Sequence, residues 1–193
     1  MDCWIVNYFY LHEDPHECAI MHVDKHVVKM DIEYPQLLST AHRIIDGEEY
    51  LSKNKAGGRL KRWKHPDDHK EETLYKACHV NHPTAIWVRE SKANYENIYN
   101  VLVELLREYT YRYGKVHASG LKLAHLLKQS PKGISRDSFT EPPPAMKAYP
   151  QCIVEGDTVT SYRNYYREAK SSFAKWTKRP IPKWYYDVEN KIV

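Results

Sequence analysis

The sequence predicts a mainly α, compact multi-helix single domain over residues 1–193, with at most a minor short-stranded sheet near the N-terminus. Three observations predict this class. Apolar residues recur at helical spacing in several stretches, and capping residues, Pro and Gly punctuate those stretches where helices would begin and end. The third is aromatic bulk: 16 Tyr and 5 Trp supply large apolar bodies in a chain with few aliphatic residues. A chain of 193 residues has one-domain length and should bury roughly 70% of its unfolded surface.

Residues 4–10, rich in β-branched and aromatic side chains, read as a short strand. Asp14-Pro15 then reads as an N-cap with proline at the first helical position. From there Ile20, Val23, Val27, Met30, Tyr34 and Leu38 form the stripe of one long helix, with Pro35 a kink or break. Residues 47–70 are polar, hold Gly57-Gly58 and the basic run Arg59 to Lys64, and read as a mobile loop. Pro83 opens another helix. Ser91 caps the next, whose stripe is Tyr95, Ile98, Leu102, Leu105, Tyr109 and Tyr113, with Gly114 as its C-terminal stop. A shorter helix covers 119–128, a proline-rich connection 129–150, and a final helix runs from Asp157 to Trp176.

Composition excludes several classes. No stretch approaches the 18 or so apolar residues of a membrane helix, and the N-terminus lacks a secretory pattern. Cys3, Cys18, Cys78 and Cys152 form no C-x-x-C pair, which argues against a disulfide framework or thiolate zinc site and for the cytoplasm. Gly-rich phosphate loops and nucleophile elbows are absent, so no cofactor is expected.

Two constellations carry chemistry. His22, His26, Lys29, Glu33 and Gln36 follow at alternating spacings of four and three, with Lys25 at the edge of their line. Such a face is either solvated or the wall of a cleft holding a base, a cation and a carboxylate. We expect the cleft, with His22, Lys25, His26, Lys29 and Glu33 as candidate catalytic residues. No metal site is read there: H-E-x-x-H is absent and Lys25 and Lys29 oppose a dication. His65 and His69, in a predicted loop, carry less weight.

The second constellation is electrostatic. Between Tyr162 and Trp184 stand Arg163, Arg167, Lys170, Lys175, Lys178, Arg179 and Lys183 against one acid, Glu168, in a chain whose net charge is only +4. With Tyr162, Tyr166, Phe173, Trp176 and Trp184 alongside, the pattern suits a nucleic-acid backbone with bases stacked on rings. Arg89 and Arg112 extend the candidate DNA-binding set.

The blocks Cys18 to Met30, Gln36 to His42, Asn81 to Ser91, Glu108 to His117, Pro144-Ala-Met146 and Tyr162 to Tyr166 resemble a little-characterised family of small proteins of tailed bacteriophages. The resemblance spans nearly the whole chain. It implies a role in viral DNA metabolism in the host cytoplasm, and loosely a thymine-hypermodifying transferase or a base-excision enzyme. The expected function is therefore base modification by group transfer, or glycosylase-type excision. DNA would be the partner, with a small amine or nucleotide as co-substrate. A non-catalytic nucleic-acid-binding protein and a metal-dependent nuclease or hydrolase are the alternatives.

Overall fold

The computed structural model describes residues 7–186. Its mainly α character and minor sheet agree with expectation, but the sheet lies elsewhere. Residues 7–11 are buried without strand pairing; the rest of the expected strand, 4–6, falls outside the described residues.

Helix α1 (Pro15–Ile20) opens where Asp14 accepts the Glu17 N–H at 2.9 Å. It is not continuous with α2 (Asp24–Asp46): the chain breaks at 21–23, where the Arg112 guanidinium takes the Ile20 and His22 carbonyls at 3.0 and 2.9 Å. Pro35, by contrast, sits inside α2 without ending it. A proline there withholds one N–H from the Asp31 carbonyl, and burial of both helix flanks offsets the loss.

The expected mobile loop is an antiparallel hairpin, β1 (Glu48–Lys53) and β2 (Arg59–Lys64), followed by α3 (Asp68–Thr73). Its tip closes because the Asn54 side chain accepts the Ala56 and Gly58 N–H groups and Gly57 adopts φ +81°. Charge concealed the strands, since Glu49–Lys61 and the exposed Tyr50 and Leu51 stand on a ribbon that buries little.

Helix α4 (Pro83–Val88) begins at the expected proline, and α5 (Lys92–Tyr113) runs from the Ser91 cap to Gly114 at φ +66°. Helix α6 (Ala118–Leu127) follows, packed on α2 and α5. The proline-rich connection is pinned by Asn94, which exchanges bonds with Thr140, and by buried Ile134 and Met146. Helix α7 (Thr158–Ala169) starts at the Asp157 cap but stops seven residues short of Trp176, giving way to a 3-10 turn at Ser171–Phe173. A last turn, α8 (Lys183–Tyr186), ends the described chain.

The core is aromatic as expected: Tyr8, Tyr34, Tyr95, Tyr162 and Tyr166 are fully buried, and Tyr8 stacks on Trp87 at 5.7 Å. Cys18 and Cys152 are buried, while Cys78 is disulfide-bonded. That corrects the expectation of a chain without disulfides, because irregular spacing in sequence says nothing of proximity in space. No helix among the described residues is long and apolar enough to cross a membrane.

Candidate functional site

The polar face of α2 is sorted by burial. His22 lies in the break before the helix, 0% exposed, its Nδ1 2.7 Å from the Cys18 carbonyl and its Nε2 3.3 Å from the Tyr34 hydroxyl. Burial pushes its pKa down to about 4. It is a satisfied core histidine and not part of a cleft wall, which corrects the expected five-residue face.

His26 is different. Its ring stacks on Phe9 at 4.1 Å, and its Nδ1 is 2.6 Å from the Tyr166 hydroxyl of α7. Burial, with the charges of His22, Lys170 and Lys29, holds it well below the usual histidine range. One turn further, the half-exposed Lys29 reaches Glu33 at 2.8 Å, and Glu33 is only 2% exposed. Burial raises the Glu33 carboxyl and the Lys29 ammonium opposes the rise. The second Glu33 oxygen accepts the Asn7 N–H at 3.5 Å. Lys25 lies exposed at the rim, its Nζ 4.7 Å above the Phe173 ring.

Sequence reasoning missed Asp31. It is 0% exposed, neither carboxylate oxygen has a partner, and burial pushes its pKa up to about 8. A carboxyl whose folded pKa lies above its unfolded value contributes stability below the unfolded pKa and loses it as pH rises towards 8. Asp31→Asn is therefore expected to stabilise the protein by up to about 5 kcal/mol at pH 7.5, roughly 10–20 °C in Tm, and to do little at pH 4. Equal Tm gains at both pH values would show that Asp31 is not neutral in the folded protein.

The candidate DNA-binding residues divide in the same way. Arg112 is buried, bonded to Glu108 at 2.6 Å and Asp24 at 2.9 Å, and Arg179 closes the network on Glu108 at 2.7 Å. Trp176 is a core residue donating to the Met21 carbonyl at 2.8 Å, and Trp184 donates to the Met21 sulfur at 3.3 Å. Arg163 donates to the Leu11 carbonyl and lies over Trp184; Arg89 donates to Ala85 within its own helix. These six hold the C-terminal segment to the body or stabilise their own element. Arg167 bonds Asn164 at 3.2 Å, and the exposed Lys178 donates to the Tyr111 carbonyl. Lys170 comes to the His26 side of α2, lying 4.6 Å over Tyr165.

The first turns of α2 and the last turn of α7 thus meet at His26. Lys25, Lys29 and Lys170 surround it, with the rings of Phe9, Tyr165 and Phe173 between them. A second polar group lies about 25 Å away along α2, at sixteen to twenty residues' rise. It comprises His42, Asp46 and His65, whose ligand-type atoms lie within 4.8 Å of one another. The fold and these sites define a mainly α protein with a basic–aromatic junction at one end of its longest helix. No family model, curated protein or solved structure matches the chain.

Proposed function

We propose that the protein acts on a nucleobase in DNA, by excision or by group transfer, at the junction of α2 and α7. The observation that carries this reading is the meeting of Lys25, Lys170 and the rings of Phe9, Tyr165 and Phe173 about a buried His26, one turn from the Lys29–Glu33 pair. Chemistry on a base requires cationic contacts for phosphates, rings for an unstacked base and a polar group out of bulk water. In excision, Glu33 takes a proton from the Lys29 ammonium 2.8 Å away, and the freed amine attacks the sugar carbon as the base departs. In transfer, the same carboxylate deprotonates an incoming small amine.

Nucleoside mass spectrometry of single- and double-stranded DNA incubated with the protein tests the reading. The expected result is a lost base or a mass-shifted nucleoside, abolished in Lys29→Ala and Glu33→Gln with DNA affinity retained. Replacing Lys25 and Lys170 together with Ala should flatten the log–log salt dependence of binding by up to about 2 on duplex DNA. Unchanged nucleosides with salt-dependent binding would leave a nucleic-acid-binding protein without catalysis. Loss of neither property in these variants would remove the junction from both readings.

A further inference from the structure

We propose that His42, Asp46 and His65 form a site for one divalent first-row transition cation, independent of the junction at the other end of α2. His42 and Asp46 stand four residues apart on the last turns of α2, so they share a face. His65 follows β2, and the hairpin returns it to the helix end. That return depends on Gly47: a Cβ there would meet the Arg43 carbonyl at 2.3 Å and the Lys64 carbonyl at 2.9 Å, both backbone atoms.

Two of the three donors, His42 and Asp46, are oriented from behind. The Nε2 of His42 lies 3.0 Å from both the Gln129 carbonyl and the Tyr95 hydroxyl. The hydroxyl spends its proton on the Leu127 carbonyl, so Nε2 must be the donor and Nδ1 keeps a bare lone pair. That Nδ1, on a side chain 0% exposed, has no hydrogen-bond partner. Asp46 accepts the Lys132 and Gly133 N–H groups at 3.0 Å, which fixes its carboxylate. His65 is 3% exposed, and its Nε2 is likewise unpartnered. Both ring nitrogens stand 3.9 Å from Asp46 Oδ2. That is too far for a direct hydrogen bond.

Two imidazoles and a carboxylate, with His42 and the carboxylate held by backbone or side-chain partners, are a donor set for Zn²⁺, Fe²⁺, Mn²⁺ or Co²⁺. At metal–ligand distances of about 2.1 Å such atoms stand roughly 3–3.5 Å apart, so closure needs shifts of a few tenths of an ångström. Cavities of about 470 and 390 Å³ adjoin Asp46 and His65 and leave room for water or substrate in the remaining positions.

One bond gives the proposal a signature. The His65 Nδ1 accepts the Asp67 N–H at 3.0 Å, so the neutral ring carries its proton on Nε2. Coordination through Nε2 moves that proton to Nδ1, and the Asp67 amide loses its acceptor. No proton is released on balance.

Chelator-treated protein titrated calorimetrically with Zn²⁺, and separately with Mn²⁺, tests the site. One equivalent should bind and raise Tm, with Asp46→Asn and His65→Ala each weakening affinity at least 100-fold. Hydrogen exchange at the Asp67 amide should accelerate on binding. The exposed His69–His125 pair, rings 6.4 Å apart, is the control, and its double Ala variant should bind as the parent does. Zinc-edge X-ray absorption of the unmutated protein should show two imidazoles and no sulfur, which keeps the test valid if a variant fails to fold. Absence of stoichiometric binding, parental affinity in Asp46→Asn, or a first shell without two imidazoles overturns the proposal.

Discussion

Arg43→Ala is expected to remove about 4 kcal/mol of stability and to release the hairpin and α3 from the helical body. The Arg43 side chain is fully buried near the end of α2. Its Nε donates to the Tyr75 carbonyl at 2.7 Å, and its Nη2 to the Glu71 and Leu74 carbonyls at 2.8 and 3.0 Å. Its Nη1 takes the Trp63 carbonyl at 3.0 Å and the Glu71 carboxylate. One planar fork therefore ties α2 to β2, to α3 and to the turn that leaves α3. Truncation leaves four carbonyls and a carboxylate without their donor, and breaking a buried ion pair from one side costs about 3–5 kcal/mol. Arg43→Lys should recover only part of this, because a single ammonium cannot reach acceptors spread around a guanidinium plane. Urea denaturation should show the loss, and limited proteolysis should cut residues 47–75 faster than the parent. A loss under 1 kcal/mol with unchanged proteolysis would mean that the hairpin docks through other contacts.

The same arginine shows where the sequence was legible. Helices with an explicit cap and stop were read closely: Ser91 and Gly114 bracket α5, and Asp14-Pro15 opens α1. Elements set by distant partners were not. The break at 21–23 depends on Arg112, about ninety residues away, capturing two carbonyls, and no local pattern records it. The hairpin was hidden because its strands bury one face only thinly, so charge outweighed alternation. The α2 face was half legible. Spacing grouped His26, Lys29 and Glu33 correctly, but could not tell that His22 turns into the core or that Asp31, off that line, is buried bare. The C-terminal charge excess is real in sequence, yet Glu108 absorbs Arg179, because opposite charges far apart in sequence meet in the fold. The signal for the His42, Asp46 and His65 cluster was present only in part: His42 and Asp46 share an i,i+4 spacing, while His65 arrives through a hairpin read as a loop.

Acid is expected to unfold the protein well before its carboxylates are protonated. Burial pushes the pKa of His22 and of His42 down to about 4, and holds His26 well below its usual range. In the unfolded chain each titrates near 6.5. Unfolding therefore takes up protons between pH 6.5 and 4, and the stability these groups contribute is complete above 6.5 and lost as pH falls towards 4. Asp31 acts in the opposite sense, since its folded pKa near 8 makes unfolding release a proton over the same range. Three imidazoles against one carboxyl leave a net uptake of two protons, or about 2.7 kcal/mol lost per pH unit. Against a total of roughly 5–15 kcal/mol, two pH units are enough to bring most such domains to the edge of unfolding. Glu71, held down to about 2 by the His65 N–H and by Arg43 against the opposing effect of burial, adds its loss only at lower pH. The urea midpoint should fall steeply from pH 6.5 to 4.5. Above 6.5 it should decline gently towards pH 8, and that decline should vanish in Asp31→Asn. His22→Gln should remove about one proton from the acid limb. A midpoint that stays flat between pH 6.5 and 4.5 would mean that these imidazoles accept protons within the folded protein, and that the core around His22 and His42 admits water.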